Sequence, residues 1–375
     1  MIFPLTAALA FTLATLVPVC LVSLLLLLWQ RPQRRFWRVS LWLHAGLFLL
    51  HLVVTFPLAL GLLASQGFGT RRDERAYEGP RLAADGKMLV QNRASLKREA
   101  KEGPAVGPEI LAAARARART IPSTQGVVLR AFRIEPVREP PVAAVVLVHG
   151  LFRGAMELEP VAAMLRQQGC ECWLLELRNH GGSSRAPFSG GLHESDDVVA
   201  AVGFVRAQPG RNDTPVVLFG ISLGTVAVSL ALPRVQGLAG VVLDSPIDDL
   251  HAAAHRMMTF RRAGDGRSWF ALFEPWRSLT LEALGTWSGF DVKDVSPSEV
   301  LAHLPHDLPV LMIGAGEDDR APPATVEQLF ARLPMPDDKK QLWIEAGASH
   351  GEVCAHAPAA YAAALARLLE RMRRP

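Results

Sequence analysis

Two long apolar runs open the chain, and a regular alternation of apolar and polar segments fills its second half. Residues 5–29 carry no charge. After a break at RPQRRFWR (31–38), a second uncharged run covers residues 39–65, interrupted only by His44 and His51. Each run exceeds the roughly 20 apolar residues needed to cross a bilayer, which predicts a transmembrane hairpin over residues 1–66 with a basic loop at 31–38. A cleaved leader fits less well, because no basic segment precedes the first run and that run is too long. Val19 before Cys20 is not the small residue a lipoprotein site needs. Residues 67–125 turn polar and loop-rich and read as a linker. Within them 110–119 suits a short helix whose Arg115, Arg117 and Arg119 form a solvated face or meet anionic head groups.

From residue 126 short apolar stretches alternate with helical periodicity, the signature of a mostly parallel sheet covered on both faces. Strands are expected at 127–134 (an edge strand), 142–148, 171–176, 216–219, 238–243, 309–313 and 341–345. Helices are expected at 157–168, 194–208, from Ser222 to about residue 232, at 325–333 and at 358–372. The alternation stops at 246–305, where Met257, Met258, Phe260, Trp269, Phe270, Phe273, Trp276, Trp287 and Phe290 crowd together. That segment reads as an insert whose large side chains form its own core or line an apolar pocket.

Composition sharpens this picture in three places. At 375 residues the chain has room for one large domain of roughly 200–250 residues and something more. Half of it is hydrophobic and the mean hydropathy is +0.19, an excess that sits in the N-terminal runs. The net charge of +4 and pI near 9.1 suit a protein tethered to a membrane. No concentrated basic and aromatic pattern points to nucleic acid. Arg31, Arg34, Arg35 and Arg38 favour a cytoplasmic loop. They place the domain that follows on the extracytoplasmic face, as in a bacterial inner membrane, although Arg71, Arg72, Arg75 and Arg81 pull the other way. The four cysteines (Cys20, Cys170, Cys172, Cys354) have no zinc spacing, and an i, i+2 pair on one strand makes a poor disulfide, so buried free thiols are expected.

The chemistry concentrates at PVVLFGISLGT (215–225). A buried strand runs into Gly220-Ile221-Ser222-Leu223-Gly224, a G-x-S-x-G pattern whose glycines leave room for a tight, strained turn that lifts the serine Oγ clear of the sheet. A nucleophilic serine needs a base, a carboxylate to orient that base, and donors for an oxyanion. An acidic loop, GAGEDDRAPP (314–323), follows one later strand, and a histidine loop, GASHGE (347–352), follows the last. Serine, acid and histidine thus arrive in that order at strand ends.

Together with VLVHGLFRG (146–154) and ELRNHGGSS (176–184), these segments make residues 126–372 resemble the α/β-hydrolase superfamily, in its lipase, esterase and serine-aminopeptidase-like branch. The resemblance implies an α/β-hydrolase fold, a catalytic domain over 126–375, and a helical cap in the insert at about 246–305. It implies Ser222 as nucleophile, His350 as base and Asp319 as orienting acid, since Gly316-x-x-Asp319 with Pro323 fits the family form; Asp318 is adjacent but one position out of phase. The oxyanion donors would be the backbone N–H groups of Leu151 and Leu223. His149 would be structural, and His180 structural or substrate-facing. Glu194, Asp196 and Asp197 read as helix-N-terminal acids rather than a metal cluster. No metal and no cofactor are implied.

The expected activity is hydrolysis of a carboxylic ester or thioester, with a lipid-like or acylated substrate suggested by the apolar runs beside an apolar insert. An aminopeptidase, amidase or acyltransferase would use the same residues, and a non-catalytic binding protein would be expected to have lost at least one of them. Nothing in the sequence fixes an oligomeric state.

Overall fold

The computed structural model of the chain describes residues 51–68, 88–91, 98–101, 105–258, 274 and 276–373, with single helical positions at 24, 41, 42, 45, 46, 49 and 50. In chain order the elements are α1 (Phe56–Phe68, after a π-helical turn His51–Thr55), β1 (Met88–Gln91), β2 (Arg98–Lys101), α2 (Pro108–Ala116), β3 (Arg119–Pro122), β4 (Val128–Ile134), β5 (Ala144–Val148), α3 (Glu159–Gln167), β6 (Glu171–Glu176), α4 (Glu194–Arg206), β7 (Val216–Ile221) and α5 (Leu223–Ala231). They continue with β8 (Gly240–Asp244), α6 (Leu250–Met257), α7 (Trp276–Ser288), α8 (Pro297–Leu301), β9 (Val310–Ala315), α9 (Pro323–Ala331), β10 (Lys340–Glu345), α10 (Val353–His356) and α11 (Pro358–Arg371).

Eight strands form one sheet in the order β10-β9-β8-β7-β5-β6-β4-β3. From β6 to β10 neighbours pair in parallel, whereas β4 runs antiparallel to β6 and β3 antiparallel to β4. The strands in the middle are apolar at nearly every position because both of their faces are covered, as a parallel sheet requires. Alternate residues feed two cores. Val145, Leu147, Leu174, Val217, Phe219 and Leu311 pack with α3 and α11 on one face. Val146, Val148, Leu175, Leu218, Val241 and Met312 pack with α4, α5 and α9 on the other. Successive strands build outward from β5 in both directions, so the loops after β5 and β7 diverge and leave a crevice at their C-terminal ends, where this class of sheet binds its ligands.

The sheet starts earlier than the sequence suggests. Within the presumed linker, α2 forms close to its expected place, β1 and β2 pair as a hairpin, and β3 joins the main sheet as its edge strand, outside β4. Only Ile121 of β3 is buried, so the strand offers no alternation to read.

The chain divides into two units. One comprises Arg71–Arg256 and Lys293–Pro375 and holds the whole sheet; the other comprises Met1–Thr70 and Met257–Val292. In the second unit α1 packs along α7. Phe56 and Trp276 meet with ring centroids 5.3 Å apart. At Gly61 the two backbones approach so closely that a Cβ would lie 2.4 Å from Ala283 Cβ and 2.5 Å from the Thr280 carbonyl oxygen. The buried residues of α7 (Trp276, Thr280, Leu281, Ala283, Leu284, Gly285 and Ser288) recur at helical spacing along one broad face. The insert is therefore not the one body the sequence suggests. Its ends stay with the sheet, where Leu250 N–H donates to the Val295 carbonyl and Ser296 and Ser298 both donate to Asp249, while its middle belongs with α1.

Among the described residues no helix is long and apolar enough to cross a membrane. The first apolar run lies outside the described residues except for Leu24. In the second run, α1 has 13 residues, about 20 Å at 1.5 Å per residue, short of the roughly 30 Å hydrocarbon layer. The expected two-span hairpin thus finds no support in the described residues.

Candidate active site

Ser222 stands between the end of β7 and the first turn of α5 with φ 56° and ψ −121°, a conformation that L-residues adopt only under constraint. The constraint is visible in its flanking glycines. A Cβ on Gly220 would fall 2.5 Å from the Gly224 carbonyl oxygen, and one on Gly224 would fall 2.3 Å from the Val148 carbonyl oxygen. The turn is also pinned by Ser222 N–H, which donates to the Asp244 carbonyl of β8 at 3.0 Å. Its residue types thus follow from backbone crowding, and the effect is to present Oγ at the mouth of the crevice.

His350, in the loop after β10, brings Nε2 to 2.7 Å from Ser222 Oγ. Its other ring nitrogen, Nδ1, lies 2.6 Å from Oδ2 of Asp318. Asp318 takes the position the sequence assigns to Asp319. The reason lies in the turn after β9. Asp318 N–H closes it onto the Ala315 carbonyl at 3.1 Å, and Glu317 N–H donates across to the Ala348 carbonyl of the histidine loop at 3.0 Å. With the turn closed there, residue 318 is the one that faces His350. The Asp318 carboxylate is buried and is fixed through Oδ1 by the N–H groups of Arg320 (2.8 Å) and Ala321 (2.9 Å), while Asp319 is half-buried. A spacing rule tolerant of one residue could not choose between two adjacent aspartates.

The loop after β5 lies against the serine. A Cβ on Gly150 would come within 3.3 Å of Ser222 Cβ, so this position must stay small. Leu151 follows it, and Leu223 is the first residue of α5, where backbone N–H groups have no partner within the helix. His149 is wholly buried beneath. Its Nδ1 meets the Gly150 carbonyl at 2.8 Å, and its Nε2 accepts the Leu177 N–H at 3.2 Å. Burial drives its pKa down to about 4, against the opposing pull of the Gly150 carbonyl, so the ring is neutral and an acceptor at Nε2. It joins the loops after β5 and β6, matching the structural part expected of it. His180 packs 4.7 Å from it, centroid to centroid, and its Nδ1 meets the Arg178 carbonyl.

The acids at the start of α4 are engaged with their own surroundings. Glu194 is buried and accepts from Ser189 Oγ and Gly191 N–H; burial raises its pKa. Asp197 holds Arg178 in a fully buried two-point ion pair (2.7 and 3.0 Å) that sequence reading missed, because nothing in the spacing of 178 and 197 announces it. Cys170 and Cys172 are buried, with burial pushing the Cys170 thiol up to about 12, and Cys354 is half-buried; none of the three is in a disulfide, and Cys20 lies outside the described residues. Of the insert's large side chains, Trp276 and Phe290 are buried, Met257 and Trp287 are exposed, and Phe260, Trp269, Phe270 and Phe273 lie outside the described residues.

A family model described as the alpha/beta hydrolase family matches residues 145–364, well over half of the chain. The chain belongs to the alpha/beta hydrolase family. No curated protein matches the sequence. Among solved structures, an esterase of Pyrococcus furiosus superposes with a TM-score of 0.54 at 18% identity, covering 68% of this chain and 90% of its own. Est1E from Butyrivibrio proteoclasticus, with ferulic acid bound, gives 0.52 at 15% identity, covering 68% and 100%. DcsB, solved with its substrate analogue, gives 0.53 at 17% identity, covering 68% and 98%. At such identities the likeness speaks for the fold of the hydrolase. Strands β6–β10, β5 from Val145 on, the serine turn and the histidine loop fall within residues 145–364, whereas β3 and β4 precede them.

Proposed function

We propose that this hydrolase cleaves a carboxylic ester or thioester through an acyl-enzyme on Ser222. The observation that carries the reading is the unbroken chain Ser222 Oγ, His350 Nε2, His350 Nδ1 and Asp318 Oδ2, with links of 2.7 and 2.6 Å. His350 takes the Oγ proton as Ser222 adds to the acyl carbon, and Asp318 holds the ring and supports the imidazolium that forms. The backbone N–H groups of Leu151 and Leu223 receive the oxyanion, a contribution of roughly 10²–10³ in kcat for each donor. Collapse expels the alcohol or thiol with the proton that His350 returns to it. Water then adds to the acyl group, again through His350, and frees the carboxylic acid. No step calls for a metal or cofactor.

We further propose a lipid-like or acylated substrate and attachment of the chain to a membrane through its N-terminal apolar runs, with the catalytic domain on the extracytoplasmic side. The charge-free runs of the sequence support this, as does the packing of α7, from the insert, onto α1, from the second run. Of the ten large apolar side chains exposed among the described residues, only Val128 and Val137 belong to the sheet-bearing unit.

A fluorophosphonate probe tests the central claim: the wild-type chain should be labelled covalently and Ser222→Ala should not. Labelling that persists in Ser222→Ala would remove Ser222 from the role. A series of p-nitrophenyl esters should then show activity rising with acyl length; a preference for acetate would argue against a lipid-like substrate.

A further inference from the structure

The end of β8 supplies no residue to the reaction above, yet it touches the carriers of Ser222, Asp318 and His350 alike. The Asp244 carbonyl accepts the Ser222 N–H at 3.0 Å, and Ser245 N–H donates to the Ile313 carbonyl at 2.8 Å, on the strand that leads to Asp318. Ser245 Oγ accepts the N–H of Gly351, the residue after His350, at 2.9 Å. The same hydroxyl donates to Asp244 Oδ1 at 2.9 Å, and the Tyr361 hydroxyl of α11 donates to Asp244 Oδ2 at 2.7 Å. Asp244, Ser245 and Tyr361 are all completely buried.

This arrangement is more than packing. A serine hydroxyl has one proton to give and lone pairs to receive, and here both capacities are spent in a single bridge, from the carboxyl of Asp244 to the histidine loop. The backbone at Ser245 is held at φ 51°, a left-handed conformation for which glycine would be the unstrained choice. Serine rather than glycine stands in that conformation, and both of its hydroxyl bonds go to the bridge. Gly351 is itself at φ 61°, so the loop carrying His350 turns sharply at the point where the bridge grips it.

We infer that Asp244 and Ser245 are positioning residues for the triad: through Gly351 they fix the histidine loop in register with Ser222 and Asp318, with Tyr361 anchoring the far end of the bridge. The inference rests on the proposed serine chemistry for its kinetic consequence, but not for its geometry. The bridge sets where the imidazole stands, not how well substrate binds. Loss of the bridge should therefore lower kcat and leave KM nearly alone.

The decisive pair is Ser245→Gly and Ser245→Ala in the full chain, assayed with p-nitrophenyl acetate. Glycine accepts the left-handed backbone without strain and removes the hydroxyl; alanine removes the hydroxyl and keeps the strain. Both should lose roughly 10- to 100-fold in kcat with KM within about twofold, the scale expected for a displacement of order 1 Å in a reacting group. Tyr361→Phe should fall in the same direction by less. Ser245→Gly at wild-type kcat would overturn the inference, as would a loss confined to KM. A second readout is independent of turnover. A downfield proton resonance from the His350 Nδ1–Asp318 bond should be present in the wild type and be lost or broadened in Ser245→Gly. If the wild-type chain hydrolyses no ester, the esterase reading fails while this resonance still decides the positioning inference. An unchanged resonance in Ser245→Gly would overturn it.

Discussion

His350 Nδ1 is bonded to Asp318 at 2.6 Å, and that carboxylate is in turn clamped by two backbone N–H groups of its own loop. The aspartate is thus held by its own loop through Oδ1, and Oδ2 meets the ring. Asp318→Asn should keep the fold and lower kcat by about 10³–10⁴-fold, because an amide at that position favours the wrong imidazole tautomer. Asp319→Asn should remain within a few-fold of wild type. Steady-state ester hydrolysis of the two variants separates them, and the opposite ranking would return the role to Asp319.

The oxyanion loop is sensitive to a single methyl group. Gly224→Ala would drive a Cβ to 2.3 Å from the Val148 carbonyl oxygen, a backbone atom that cannot swing aside. It should destabilise the fold by about 1–3 kcal/mol or more, read as a lowered melting temperature. Gly150→Ala meets Ser222 Cβ at 3.3 Å, a milder crowding that should reduce kcat more than stability.

His149 makes stability depend on pH. Burial lowers its pKa from 6.5 to about 4, so the folded state resists protonation that the unfolded chain accepts. Its contribution is therefore complete above pH 6.5, declines as pH falls from 6.5 towards 4, and changes no further below that. The full shift corresponds to about 3 kcal/mol. Glu159 and Glu194, raised by burial, act in the opposite sense, so the wild type must be compared with a variant. Melting temperatures from pH 7.5 to 4 should fall more steeply for the wild type than for His149→Phe, which starts lower at neutral pH. Parallel curves would assign the dependence elsewhere.

Arg178 and Asp197 form a pair with both side chains shielded from solvent. Removing one partner leaves an uncompensated buried charge, which typically costs about 3–5 kcal/mol. Asp197→Ala should therefore unfold at much lower denaturant, whereas Asp196→Ala, whose partner Arg234 is exposed, should change the midpoint little.

Much of the fold could be read from the chain because its central strands are buried on both faces and so appear as unbroken apolar runs. The serine turn was legible for a different reason: Gly220 and Gly224 are demanded by backbone crowding that no other residue satisfies. Three features escaped. β3 has a single buried residue and therefore no pattern. The choice of Asp318 over Asp319 depends on where a turn closes, a matter of one hydrogen bond rather than of composition. The split of the insert depends on what α7 packs against, and its partner α1 lies more than 200 positions earlier in the chain.

The notch at Gly61 has a practical consequence. Because α1 and α7 interlock there, a chain shortened to begin after residue 70 would lose the surface that Phe56 and Gly61 present to Trp276, Thr280, Ala283 and Leu284. The apolar N-terminal segment, which purification would first discard, thus supplies the packing partner of a helix encoded far downstream. A trimmed hydrolase should retain its sheet but present a sticky, newly bared stripe on α7, so its success in solution would hinge on polar replacements along that stripe rather than on the catalytic domain itself.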